Sequence, residues 1–125
     1  MTGVQTCALP ISSLLPGIVH PSQLHNMEVV KVILDMAEAV GPDGFVRQQE
    51  AMIARPDCRP MLASIHKPTV VICGRQDQGT PLHCSELMAT GIPNARLVVI
   101  EECGHMTVLE KRAETSAALR RWLTE

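Results

Sequence analysis

The chain has 125 residues, 46% of them hydrophobic, a net charge of −2 at pH 7 and only two aromatic side chains, Phe45 and Trp122. That composition is too apolar and too weakly charged for a disordered chain. It also disfavours nucleic-acid binding, which draws on clustered basic residues and aromatic stacking platforms. The five cysteines, Cys7, Cys58, Cys73, Cys84 and Cys103, are odd in number and irregularly spaced. They argue against a disulfide framework and for a reducing, cytoplasmic setting. No run approaches the roughly 18 apolar residues of a membrane span.

Residues 1–11 stand apart. Met1-Thr2-Gly3-Val4-Gln5-Thr6-Cys7-Ala8-Leu9-Pro10-Ile11 resembles the translation of a sequencing-adapter oligonucleotide, in which a GTG codon used as a start would explain Met1. The segment is set aside as an adapter-like artefact. It differs from a signal peptide, because no Lys or Arg precedes the apolar run and Pro10 and Pro16 interrupt it. The remainder divides into a helical part, 12–64, and an α/β part, 65–125.

Between Asn26 and Val40 the residues Met27, Val30, Leu34, Ala37 and Val40 recur at three- and four-residue steps. This is a helical stripe, with Asn26 as N-cap and Gly41-Pro42 as its stop. A second helix is expected from Asp43 to Ala54, with Phe45, Val46, Met52 and Ile53 on one side. Arg55-Pro56 ends it, since the residue before proline is pushed out of the helical region. Pro60 to Ile65 predicts one further short turn.

After Lys67-Pro68 the period changes. Residues 69–73 and 97–100 are continuous runs rich in Val and Ile, as expected for parallel strands covered on both faces. Between them, Thr80-Pro81 reads as an N-cap followed by proline at the first helical position. A helix from Leu82 to Thr90 ends at Gly91-Ile92-Pro93-Asn94. Strand, helix and strand make a βαβ unit. A last helix from about Lys111 to Leu123 is expected to bury Ala118, Leu119, Trp122 and Leu123. Two parallel strands alone are too few for an independent sheet, so the α/β part reads as the end of a larger domain. Its first strand would carry an unpaired edge, an aggregation liability.

Each strand delivers a glycine and then a polar residue. Gly74-Arg75-Gln76-Asp77 follows the first, and Glu101-Glu102-Cys103-Gly104-His105 follows the second. Open α/β sheets bind ligands at the C-terminal ends of their strands. Singly, Asp77 also fits an ordinary turn residue and His105 a helix cap. Jointly, 28 residues apart with one helix and one strand between them, they point to chemistry at one sheet edge. Gly74 and Gly104 would allow sharp turns or close backbone approach beside each of them.

Pro68-Thr69-Val70-Val71-Ile72-Cys73-Gly74-Arg75-Gln76-Asp77, Thr80-Pro81, the 92–100 run and Cys103-Gly104-His105 together resemble the C-terminal third of an α/β-hydrolase-fold enzyme. Ala118-Leu119-Arg120-Arg121-Trp122-Leu123 resembles that family's final helix, and residues 14–63 resemble helices of its cap. The resemblance is close over 64–124. It departs in carrying Leu82 where a second proline is usual and Arg112 where a proline often precedes the last helix. The family's triad runs Ser, Asp or Glu, then His along the chain. The resemblance thus implies Asp77 as triad acid and His105 as general base. The base relays the nucleophile's proton to the leaving group, while the acid orients the imidazole and stabilises its charged form.

The nucleophile is missing from this pattern. No G-x-S-x-G occurs, the serines at 12, 13, 22, 64, 85 and 116 lack flanking glycines, and no His-Gly-Gly oxyanion loop is present. A Cys–His pair using Cys73 or Cys103 is conceivable, although a buried cysteine on a strand is ordinarily a small hydrophobe. His83-Cys84 and Cys103-Gly104-His105 lack the spacing of structural zinc sites, so no metal is expected. His20, His25 and His66 are isolated and read as surface or loop residues. The methionines at 27, 36, 52, 61, 88 and 106 read as core or as apolar cap lining able to meet an acyl chain.

The expected protein is the C-terminal βαβα portion of an α/β-hydrolase sheet preceded by helical cap segments, an incomplete domain. Its parent would cleave carboxylic esters, acting on a small or medium apolar substrate with an upstream serine, Asp77 and His105, using no cofactor and no metal. The chain alone is expected to be inactive. A lactonase, thioesterase, dehalogenase or C–C bond hydrolase would share this tail, and a non-catalytic βαβ binding module is the alternative from another class.

Overall fold

The computed structural model of the protein describes residues 5–124, with side chains from Ser12 onward. The adapter-like reading of residues 1–11 therefore lies outside the described side chains. The elements run α1 (Gln5–Ile18), α2 (Met27–Ile53), β1 (Val70–Gly74), α3 (Leu82–Gly91), β2 (Arg96–Ile100), α4 (Thr107–Glu110) and α5 (Arg112–Thr124). Short 3-10 turns at Pro21–Gln23 and Arg59–Ser64 connect them, the second where one was expected.

Helix α2 starts as its sequence dictates, with the Asn26 side chain accepting the Glu28 N–H at 3.2 Å. The expected stop at Gly41-Pro42 is a kink instead. Gly41 takes φ 67° and ψ 173°, a non-helical conformation that glycine adopts without penalty, and helix resumes beyond it. The two stretches on either side correspond to the two predicted helices. The buried stripe is Val29, Val30 and Ile33, whereas Met27 and Val40 of the predicted stripe remain exposed. The shift follows Leu15 of α1 and Val19 just beyond its end, which meet α2 along that line in a core of their own.

Strands β1 and β2 pair in parallel, Val70 opposite Arg96 through to Gly74 opposite Ile100. Helix α3 makes the crossover, and both α3 and α5 pack on both strands. In β1, Val71 and Cys73 are buried. Two expectations fail here. Thr80 does not cap α3: Pro81 occupies that position, with no side-chain cap bond. In α5 only Ala118 of the four expected apolar residues is buried, and Leu123 is 73% exposed. The buried line runs through Thr115 and Ala118. Leu119 comes one residue later, about 100° round the helix. Trp122 sits at the margin, where its indole N–H donates to the Pro68 carbonyl at 3.3 Å.

Among the described residues no helix is long and apolar enough to cross a membrane.

Candidate active site

The loops leaving β1 and β2 are bound to each other before any side chain of the site is considered. Arg75 N–H donates to the Ile100 carbonyl at 2.9 Å, and Gln76 N–H to the Cys103 carbonyl at 2.9 Å. The Gln76 side-chain oxygen accepts the Cys103 N–H in return at 3.1 Å. A β-carbon on Gly74 would overlap the Gly104 carbonyl oxygen and lie 2.5 Å from that of Cys103. Gly74 is thus required for close approach of the two backbones, not for a left-handed turn. Arg75 and Glu101 close the outer edge as an exposed ion pair at 2.6 Å.

This bracing sets Asp77 Oδ2 2.9 Å from His105 Nδ1. The carboxylate is saturated. Its Oδ1 accepts the N–H groups of Gly79 and Thr80, each at 2.9 Å, and its Oδ2 accepts the Thr80 hydroxyl at 2.8 Å. Burial pushes the Asp77 carboxyl up, but the hydrogen bonds from the Thr80 backbone, His105 and the Thr80 hydroxyl outweigh it and hold it below the usual carboxylate value. An ionised Asp77 only accepts, so the proton between the two residues belongs on Nδ1. Nε2 is then left with its lone pair. That is the tautomer a general base needs.

The two partners differ in access. The Asp77 side chain is 5% exposed and that of His105 44%. His105 faces a cavity of about 440 Å³ walled by α1 and by both halves of the kinked α2, with Ile33, Met36, Val40, Phe45 and Val46 in its lining and Gln48 as a lone amide. Met106 lines it beside His105. Of the methionines expected as core or lining, Met36 and Met106 do line it, whereas Met27, Met52 and Met61 are more than half exposed.

The thiols hold no place in this chemistry. Cys103 is fully buried and its thiol is pushed up to about 12, first by burial and then by the nearby Glu110 carboxylate. It is a thiol, not a thiolate, at neutral pH, and Cys73 is buried on β1 with its Sγ against the Gly74 carbonyl. The conceivable Cys–His pair is therefore discarded. Among the described residues, no three His, Cys, Asp or Glu side chains are placed to hold a metal ion. His20 is not merely a loop residue, since its Nδ1 accepts the Ser22 N–H at 3.2 Å and caps the first 3-10 turn.

Two neighbours of the pair escaped the sequence reading. Thr80 resembled a helix cap because Thr-Pro is a common helix start, and only its distance from Asp77 reveals its other use. Glu110 lay at the edge of the predicted last helix, yet it is 8% exposed and accepts three backbone N–H groups around His105.

A carboxylate–imidazole pair on loops after two parallel strands, opening into an apolar cavity, is an arrangement met in hydrolases built on an open α/β sheet. The family model for the alpha/beta hydrolase fold matches residues 34–112, and the chain belongs to that family. It is 40% identical over 64 residues to 2-hydroxy-6-oxononadienedioate/2-hydroxy-6-oxononatrienedioate hydrolase 2 of Pseudomonas putida, a match covering 50% of this chain and 22% of that protein. Among solved structures, it superposes on a thermophilic esterase from Thermogutta terrifontis with a TM-score of 0.87 and 28% identity, over 94% of this chain and 44% of that one. The enol-lactonase of Burkholderia xenovorans LB400 gives a TM-score of 0.86 at 24% identity, over 98% of this chain and 47% of that one, a likeness of fold. The chain spans less than a third of the length of the curated relatives it matches and less than half that of these structures.

Proposed function

We propose that Asp77 and His105 are the acid and base of a serine-type hydrolase that cleaves carboxylic esters and acts on a small or medium apolar substrate. The observation that carries this reading is the 2.9 Å contact between Asp77 Oδ2 and His105 Nδ1 at the wall of an apolar cavity. In this mechanism His105 Nε2 takes the proton of a serine nucleophile and returns it to the alcohol leaving group, while Asp77 stays ionised. The nucleophile is supplied by sequence beyond these 125 residues, and the chain alone does not turn over. No cofactor enters the reaction.

C–C bond cleavage is the second reading, favoured by the identity to the Pseudomonas putida hydrolase. That relative's name specifies a dianionic substrate. The described residues lining the cavity include neither Lys nor Arg, which favours the ester.

The test is release of nitrophenol from short-chain nitrophenyl esters, by the purified chain and by the product of the longer reading frame containing it. The longer protein is expected to be active, and Asp77→Asn to lower its kcat by about 10⁴-fold, the size of the tautomer effect in serine hydrolases. Turnover by the chain alone that vanishes in His105→Ala would overturn the external nucleophile. A longer protein inert on esters but active on a dienoate would overturn the ester reading. A longer frame with no nucleophile elbow would leave a binding module.

A further inference from the structure

We propose that Glu110 is a positioning residue for His105, holding the base on its acid through the backbone and not through the ring. This deepens the proposed function and rests on it for the role of His105 as base. A buried carboxylate is costly unless its oxygens are bonded, and Glu110 is 8% exposed. Its partners are all main-chain donors. Oε2 accepts Gly104 N–H at 3.0 Å and His20 N–H at 2.7 Å, and Oε1 accepts Met106 N–H at 3.0 Å. His105's own N–H donates to the Ile18 carbonyl at 2.7 Å. The amides of 104, 105 and 106 are thus all committed, two of them to one side chain.

Geometry leaves the loop no slack. A β-carbon on Gly104 would come within 2.7 Å of both His20 N and the Ile18 carbonyl oxygen. Met106 and Leu109 pack on the core of α1 and α2. The Glu110 carboxylate therefore joins three things: through Oε2 the segment after α1 and the residue before the base, and through Oε1 and Met106 the core beside the cavity wall. None of these hydrogen bonds reaches the imidazole, and Glu110 is not among the described residues that line the cavity. Its effect reaches the ring only by fixing where the 104–106 backbone stands, and with it the direction of Nδ1 toward Asp77. Neither an aspartate, one methylene shorter, nor an alanine can span to all three donors. Glutamine keeps one acceptor oxygen but turns an NH₂ donor against an N–H.

The experiment is NMR of the ¹⁵N-labelled 125-residue chain, following the hydrogen-bonded His105 Nδ1–H and the ring nitrogen shifts. The resonance is identified by its absence in His105→Ala and Asp77→Asn. In Glu110→Ala we expect its loss, with the ring nitrogens moving to those of a histidine free in water; Glu110→Gln should weaken it and shift the ring partway. Val71→Ala, which thins the buried strand away from the loop, should keep it unchanged. A folded Glu110→Ala that retains the resonance and the wild-type ring shifts overturns the proposal. So does equal loss in Val71→Ala, which would make the effect one of stability alone. If Glu110→Ala does not fold, Glu110→Gln decides: unchanged ring shifts overturn the proposal and displaced ones support it. No ester is involved, so a failed hydrolysis assay and a failed NMR result remain separate outcomes.

Discussion

Around Asp77 and His105 the polar groups of two loops are bonded to one another, whereas along α2 the chain leaves Met27, Met36, Phe45, Val46, Met52 and Ile53 exposed. The first region is held by direction: N–H to carbonyl, N–H to carboxylate, glycine against carbonyl. The second is held by area, a small core of Leu15, Val19, Val29, Val30 and Ile33. Hydrogen bonds fix angles and tolerate little displacement, while apolar packing fixes volume and accepts substitution of similar size. A fixed contact between a carboxylate and an imidazole needs the former. The wall of an apolar cavity needs only the latter.

The contrast breaks first at Gly74. Gly74→Ala forces a methyl group into two carbonyl groups and should cost about 3 kcal/mol or more, the severe end of single substitutions. Chemical denaturation measures it, and a midpoint near wild type would mean that the loops give way easily. Gly41→Ala probes the other region. No atom lies within 4 Å of the added carbon, so its cost is conformational alone. About 2 kcal/mol is expected from the positive φ, with the Asp77–His105 contact intact by NMR.

Thr80→Val removes one donor from a charged acceptor and keeps the shape, for a loss of about 1.5 kcal/mol in the same denaturation assay. Acid stability sharpens the point further. Asp77 is held below its ordinary value of 3.8, so its contribution is present above that pH and is lost as pH falls through the lower folded value. Denaturation midpoints compared between wild type and Asp77→Asn should show a flatter acid limb in the variant. Least of all should follow from Glu101→Gln. Arg75 holds the Glu101 carboxyl below its usual range, but both side chains stand in water and screening cancels most of their attraction, so the midpoint should not move measurably.

Much of this was readable from the chain because it rests on period and punctuation. Two runs of Val and Ile, each with a glycine at or soon after its end, announced β1 and β2 within a residue at each end, and their order placed Asp77 and His105 at one edge. Gly41-Pro42 announced the interruption, and helix was expected on both sides of it; what the sequence did not announce is that the two stretches would join directly through a kink at Gly41. Thr80 and Glu110 were opaque for a common reason. Their partners lie in the fold and not in the local sequence: a carboxylate turned back by a tight loop, and amides up to 90 residues away. The apolar face of α5 was overread, since periodicity marks which residues share a side but not how much of that side a two-stranded sheet can cover.

The kink at Gly41 carries a consequence for redesign. Beyond it the second half of α2 forms part of the wall of the cavity that His105 faces. Each residue inserted after Pro42 would advance that part of the wall by about 1.5 Å and turn it by about 100°. A single insertion would move Gly44, Phe45 and Arg47 into the places now held by Phe45, Val46 and Gln48. The lining could thus exchange an amide for a cation by changing the length of the chain, without altering a residue of the loops that hold His105.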